Sequence, residues 1–442
     1  IGLVREALRE RKILLNTAPL VTQPLRFLVP IYQGDPRGVL KIRSGLWLYD
    51  RLAGTARIER HGFLAPRSVA DVQPSLEKVQ LKGAGFYTDA SMNDARLCFL
   101  NILDAYRSGA VCVNYMQVAR FVQKNSKIAG VAAVDLLTGN EYTVHGRTVV
   151  NATGPWGDFV CRLDPAEADA NRLRTTKGVH IVVPLCLSHD ALLLSARSDR
   201  RVFFVIPWGD VSIIGTTDTD YDGDPDTVEP ADSDIDYLLT EAQRALPRAR
   251  LTRSCILYSY AGLRPLVRFE RGPAWRASRE HRIVEHNSGM LSVLGGNYTT
   301  FRAVAEQVVD LLIERIEPTT VMLCETATRR FPGMDIDDFD SYLEDRTRFW
   351  SERITDSERC VARLLQHYGT ESDKILELVQ SDTRLRQPIA GGASHILAEI
   401  VYTYLHEMAV TLDDTLRRRL GVRLLGITEE QVQRRLDSAT ET

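Results

Sequence analysis

A strand that ends in paired glycines and turns directly into a helix constrains this chain more than any other feature. Met290–Leu294 is an apolar strand pattern, and Gly295-Gly296 follows it. Polar residues, Asn297-Tyr298-Thr299-Thr300, then lead into Ala303–Ile316, where Val304, Val308, Leu311, Leu312 and Ile316 recur at helical spacing. Two residues without a Cβ let a backbone approach a ligand closely. The helix start adds unpaired N–H groups and the positive end of a dipole. Taken alone, the glycine pair fits an ordinary tight turn equally well, so the rest of the chain has to decide.

At 442 residues the chain exceeds one ordinary core, and two or three domains are expected. A net charge of −3 gives no reason to expect nucleic-acid binding. Cys98, Cys112, Cys161, Cys186, Cys255, Cys324 and Cys360 are scattered and form no Cys-x-x-Cys or Cys/His cluster. Most read as packed thiols of a reducing compartment, with no metal site expected among them. No apolar run reaches the roughly 18 residues needed to cross a bilayer. No signal peptide is expected from these residues. The chain opens at Ile1 inside a helical pattern, Val4–Leu15, with no leading strand; a natural N-terminus lying further upstream is therefore expected.

Helical periodicity marks residues 1–16, 92–108, 235–245 and 303–316, and it recurs from about 333 to 442 with little strand signal. Pro19, Pro24 and Pro30 break the following stretch into extended pieces. Strands are predicted over Ala110–Tyr115, Ala119–Gln123, Ile128–Leu136, Tyr142–His145 and Thr148–Asn151. A second set covers Val179–Pro184, Val202–Trp208, Val211–Gly215, Cys255–Tyr260 and Ile283–His286. The expected fold class is α/β (α+β). One region, 1–320, would contain an interleaved second part, roughly 20–85 and 160–280, and a helical domain would span 321–442.

Several segments are more particular. They are Asn151-Ala152-Thr153-Gly154-Pro155-Trp156, Thr176-Lys177-Gly178-Val179-His180-Ile181-Val182-Val183-Pro184, Ile214-Gly215-Thr216-Thr217-Asp218, and Gly262-Leu263-Arg264-Pro265-Leu266. In this order, with Gly295–Arg302 and the C-terminal run Glu399–Arg419, they resemble the FAD-dependent glycerol-3-phosphate dehydrogenase family. That family belongs to the D-amino-acid-oxidase-like flavoproteins. The resemblance covers nearly the whole chain. It implies a two-dinucleotide-binding flavoprotein fold, with a mixed-sheet substrate domain and an all-helical C-terminal domain.

It also implies oxidation of sn-glycerol 3-phosphate to dihydroxyacetone phosphate, with electrons passed to quinone. The partners implied are FAD, glycerol 3-phosphate, quinone, a second copy of the chain and a membrane surface, the last placing it on the inner face of the cell membrane. Two departures stand out. The family's Gly-rich G-x-G-x-x-G turn, which cradles the FAD pyrophosphate, has no counterpart in the sequence, so the FAD domain is expected to be incomplete. The family usually has Lys after the glycine pair, where this chain has Asn297. These departures leave room for a related flavin oxidase acting on another hydroxy or amino acid, or for a non-catalytic scaffold.

Flavin-linked alcohol oxidation needs a group to take the hydroxyl proton and a cation for the phosphate. His180 is the candidate base. Arg264, Arg279 and Lys177 are the candidate cations, and Asn297 stands beside the reacting groups. Ala152, Thr153, Gly154, Gly296, Asn297, Tyr298 and Thr299 are expected along the flavin, and Val118 at the adenine end. Asp218, Asp220, Asp222, Gly223 and Glu229 match calcium-loop spacing. A strand leads into that loop and Pro225 interrupts it, so a solvated acidic loop is the expectation. Pro36–Leu52, with Leu46, Trp47 and Leu48 among Lys41, Arg43 and Arg51, suits either a segment packed under the substrate domain or an interfacial helix, and the resemblance, which implies a peripheral membrane enzyme, favours the second.

Overall fold

The computed structural model describes residues 2–35, 38–268, 280–319, 322–354 and 358–440. The chain opens with α1 (Gly2–Thr17), β1 (Thr22–Tyr32), α2 (Gly38–Ala53), β2 (Gly62–Leu64), α3 (Pro66–Val72), β3 (Leu81–Met92) and α4 (Asp94–Arg107). A meander follows: β4 (Met116–Lys124), β5 (Lys127–Asp135) and β6 (Glu141–His145). Next come β7 (Val150–Asn151) and α5 (Gly157–Cys161). A second β-rich block holds β8 (Leu173–Pro184), β9 (Ala191–Ser195), β10 (Val202–Trp208), β11 (Val211–Gly215) and β12 (Thr219–Asp220). It continues through α6 (Asp232–Ala245), β13 (Tyr258–Val267), β14 (His281–Glu285), β15 (Leu291–Gly295) and α7 (Phe301–Ile316). The rest is helical: α8 (Phe339–Ile354), α9 (Glu358–Tyr368), α10 (Ser372–Ser381), α11 (Leu397–His406) and α12 (Glu429–Thr440).

Nine of the strands form one mixed sheet, ordered β12-β8-β11-β10-β9-β1-β3-β2, with β13 on the other edge of β8. Strand alternation divides its residues between two faces. Leu28, Val179, Ile181, Val183, Leu192, Leu194, Phe203, Val205 and Ile214 point into a core closed by Leu238, Leu239 and Ala242 of α6. The opposite face carries Phe27, Tyr87 and Phe204, whose rings touch one another. α2 packs against that face, with Ile42 and Leu46 over Gly85, where a Cβ would fall 2.8 Å from Leu46 Cδ1. A smaller sheet, β14-β15-β7, pairs β15 parallel to β7.

Three expectations need correction. The stretch after Pro19 is one continuous strand, β1, not broken pieces. Pro24 and Pro30 share the same parity along it, and β9 borders β1 only at Phe27–Leu28, between them. A missing N–H is tolerated where the neighbouring edge is unpaired. Ala110–Tyr115 is not a strand: its apolar composition suits one, but no strand among the described residues pairs with it, and Val111 and Val113 stay exposed. It is held from the helical domain instead, through Asn114 Nδ2 to the Met408 carbonyl and Tyr115 OH to Asp414. The strand expected at Cys255–Tyr260 starts later, at Tyr258, because Arg253–Cys255 closes into a single 3-10 turn.

The helical domain has its own core, built on Trp350, Leu364, Leu365, Ile375, Leu376, Ile400, Tyr402 and Leu416. Ionised groups are buried with it. Arg363 and Glu399 pair between α9 and α11, and Tyr368 OH also donates to Glu399.

Candidate cofactor and substrate site

Beta alternation brings His180 and Arg264 to one face. On β8, His180 lies opposite Gly215 of β11 on one side and Tyr260 of β13 on the other. Both neighbours make room for the imidazole. A Cβ at Gly215 would collide with the Cδ2–Nε2 edge of the ring, and Tyr260 stacks on its plane at 5.0 Å and 14°. Burial, and then the Arg264 charge, push the His180 pKa down to about 4, so the ring is neutral near pH 7. Its Nδ1 is buried and has no hydrogen-bond partner among the described residues. A buried polar atom left open in this way suits a ligand hydroxyl.

The Arg264 guanidinium lies across Gly178, where a Cβ would fall 2.5 Å from Nη2. Nη2 donates to Thr216 Oγ1 at 3.0 Å, and Nη1 stands 3.4 Å from Asp218 Oδ1. Two residues that sequence reasoning passed over, Gly178 and Gly215, thus shape the site. The available signal was a glycine inside a strand pattern, which marks a close approach. Tyr260 and Thr216 carried no such mark.

Lys177 is set apart from this group. As the residue between Thr176 and Gly178 it projects from the other face of β8, where its ammonium pairs with Asp234 of α6 at 2.7 Å. Alternation separates neighbours that the motif places side by side. Arg279 falls outside the described residues. The acidic loop is spent on ion pairs as well, Asp220 with Arg174 and Asp218 with Arg264.

The glycine pair lies where β15 ends. Gly295 and Gly296 have φ of +71° and +106°, and a Cβ on Gly295 would fall 2.7 Å from Val267 Cγ2. Only glycine takes this path without strain. Asn297 caps the turn that follows: its Oδ1 accepts from Thr299 N–H at 3.2 Å, and its carbonyl accepts from Thr300 Oγ1 at 3.1 Å. Tyr298 OH donates to the Asp94 carbonyl at the start of α4, at 2.6 Å.

The parallel neighbour β7 ends beside it, at Ala152-Thr153-Gly154. Gly154 has φ +57° with open space where a side chain would stand. Two adjacent parallel strands therefore end together in glycine turns, the position where α/β sheets take nucleotides. With the N-terminus of α7 next to them, these turns fit the pyrophosphate–ribityl part of an FAD. A Cβ on Gly295 would fall 3.5 Å from the Pro265 carbonyl, so this edge abuts the strand that carries Arg264. Val118 lies half exposed at an irregular step of β4, on the separate meander sheet.

Known proteins resemble this chain along most of its length. Residues 1–311 match the FAD dependent oxidoreductase family, and residues 324–438 match the C-terminal domain of alpha-glycerophosphate oxidase. A glycerol-3-phosphate dehydrogenase of Synechocystis sp. is 34% identical over 440 residues, covering 96% of this chain and 79% of the relative. An aerobic glycerol-3-phosphate dehydrogenase of Staphylococcus aureus is 33% identical over 437 residues, 95% of this chain and 76% of the relative. The crystal structure of the Bacillus halodurans glycerol-3-phosphate dehydrogenase complexed with FAD superposes with a TM-score of 0.78 at 28% identity. That superposition covers 98% of this chain and 84% of the other.

Proposed function

The chain belongs to the FAD-dependent glycerol-3-phosphate dehydrogenase family, and from that premise we propose that it oxidises sn-glycerol 3-phosphate to dihydroxyacetone phosphate and passes the electrons to a quinone. The observation that carries the substrate is the pairing of His180 and Arg264 on one face, each seated over a glycine. FAD, when bound, supplies the hydride acceptor. His180 takes the hydroxyl proton, because its neutral ring is already in the accepting form. Arg264 holds the phosphate through a planar fork of N–H donors, with Thr216 orienting that fork. Lys177 stays with Asp234 and fastens α6 to the sheet.

Asn297 supports a second reading. Its amide caps a turn and brings no charge, which suits a substrate with less negative charge than a phosphate ester, such as another hydroxy or amino acid. Anaerobic mixing of flavin-loaded protein with each substrate class separates the two readings. Bleaching of the visible flavin band by sn-glycerol 3-phosphate at far lower concentration than by hydroxy or amino acids supports the first. The reverse order overturns it.

No helix among the described residues is long and apolar enough to cross a membrane. The outer side of α2 is nevertheless apolar and basic. Leu40, Trp47 and Leu48 are 84%, 57% and 47% exposed, and Arg51 stacks over Trp47. This composition supports a helix lying on an anionic lipid surface, where a membrane quinone is within reach.

A further inference from the structure

Beneath the Ala152-Thr153-Gly154 turn runs a chain of buried polar groups that the oxidation chemistry does not use. Glu167 Oε1 lies 2.7 Å from His286 Nδ1, and His286 Nε2 lies 2.9 Å from Ser292 Oγ. Ser292 Oγ is 3.3 Å from Asn151 Nδ2, and Asn151 Oδ1 takes both the hydroxyl and the amide of Thr153, at 2.7 and 3.3 Å. Ser292, Asn151 and His286 are 0%, 2% and 7% exposed.

Donor–acceptor logic fixes the sense of most of these bonds. Burial works against ionisation of Glu167, but the hydrogen bonds from His286 and Arg172 outweigh it and hold the carboxyl below its ordinary range. An ionised carboxylate only accepts, so His286 Nδ1 carries a proton and donates to it, while Nε2 shares a hydrogen bond with Ser292 Oγ. Ser292 accepts from the Asn151 amide, whose remaining oxygen faces Thr153. Asn151 cannot flip, because Nδ2 also donates to the Gly157 carbonyl at 2.9 Å. From Thr153 to Ser292, and again from His286 to Glu167, the donors point toward Glu167, while Asn151 Nδ2 is also tied to Gly157. Such aligned bonds polarise one another in a low-dielectric interior.

The Ser292–His286–Glu167 order has the geometry of a hydrolytic triad. With Ser292 sealed from solvent no substrate reaches it, so orientation is what the arrangement can deliver. We propose that Glu167, His286, Ser292 and Asn151 are positioning residues that lock the Thr153 turn in the shape that grips the ribityl–pyrophosphate arm of FAD. The proposal rests on the reading that this turn faces FAD.

The experiment combines hydrogen exchange of the apoprotein, read on peptides spanning 152–156, with FAD titration by fluorescence. Asn151→Ala and Ser292→Ala are expected to raise exchange in that segment and weaken FAD binding about tenfold, the loss of one or two hydrogen bonds. Glu167→Ala is expected to do the same, whereas Glu167→Gln, which keeps an acceptor for His286, binds FAD within about twofold of the parent. This rescue separates positioning from general loss of stability. Unchanged exchange at 152–156 in Asn151→Ala overturns the relay. Raised exchange with unaltered FAD affinity overturns the turn's assignment to the cofactor and leaves the relay as a fold element only.

Discussion

Arg96 and Glu407, 311 residues apart in the chain, meet at 2.6 Å with their side chains 2% and 0% exposed. The pair joins α4 of the oxidoreductase region to the helical domain. Tyr368 and Phe99 cover the guanidinium, and Arg107 reaches Glu371 further along the same helix. α4 also receives the Tyr298 hydroxyl at its first turn. The helical domain and the glycine turn thus grip the same helix.

Removing one partner strands the other charge in a dry interior. Glu407→Ala is expected to destabilise the protein by about 3–5 kcal/mol, as for a broken buried pair. Adding Arg96→Met is expected to return part of that loss, because no charge is then left unpaired. Urea unfolding of the three variants against the parent checks this. A double variant less stable than Glu407→Ala alone refutes it.

Acidification is expected to destabilise the fold between about pH 6.5 and pH 4. His180 and His395 are each pushed down to about 4, chiefly by burial, and His367 is pushed well below its ordinary value by burial and the charges of Arg96 and Arg363. Their unfolded pKa stays near 6.5, so in this window the unfolded chain binds more protons and stability falls as pH falls. Above pH 6.5 the contribution is fully present. His180 and His395 each contribute up to about 3 kcal/mol by linkage. Melting temperature against pH, in the parent and in His395→Gln, measures the slope; an identical slope in the variant removes His395 from the account.

Much of this architecture was legible. Alternation placed β10 and β11, and the glycine pair with its helix, because those segments satisfy their pattern locally. Ala110–Tyr115 misled for the opposite reason: a β-rich composition is realised only when an edge is available to pair. β1 was read as broken because the cost of its prolines depends on a neighbour that lies far away in sequence. In the site, His180 and Arg264 were legible as motif residues, whereas the separation of Lys177 from them follows from strand alternation. The Asn151–Ser292–His286–Glu167 chain had no sequence signal, since its members come from four separate segments.

The membrane reading of α2 depends on which side each residue takes. Leu46 is buried against Gly85 and belongs to the core, so it is a poor probe of lipid binding. Trp47→Ala with Leu48→Ala and Leu40→Ala is expected to release the protein from anionic vesicles and leave its melting temperature within about 1 °C, as for exposed positions. Leu46→Ala is expected to lower stability by about 2–5 kcal/mol. Vesicle co-sedimentation and thermal melts decide. Full retention of the triple variant on vesicles places the lipid contact elsewhere.

Asn297→Lys exchanges a cap for a cation. Losing the bond to Thr299 N–H is expected to cost about 0.5–2 kcal/mol of local stability. If glycerol 3-phosphate is the substrate, the added charge beside it is expected to raise kcat/KM by about tenfold or more, as fixed charge does in a water-poor site. Steady-state kinetics on the flavin-loaded variant reads this directly. An unchanged or lower kcat/KM favours a substrate without phosphate.

Arg264 and Gly178 give the sharpest test, because one site is probed by two unrelated changes. Arg264→Ala is expected to raise KM for glycerol 3-phosphate by an amount equivalent to about 2–5 kcal/mol, the cost of truncating one partner of a desolvated charge pair. Slow oxidation of glycerol, which has no phosphate, is expected to change little. Arg264→Lys recovers only part, since a point cation does not copy a planar fork. Gly178→Ala leaves every charge in place but puts a methyl group 2.5 Å from Arg264 Nη2, so the guanidinium has to move. Its kinetic signature is therefore expected to resemble Arg264→Ala, with a large effect on glycerol 3-phosphate and a small one on glycerol. If instead both variants impair the two substrates equally and lower the melting temperature, Arg264 is a structural partner of Thr216 and Asp218, and the phosphate assignment fails with it.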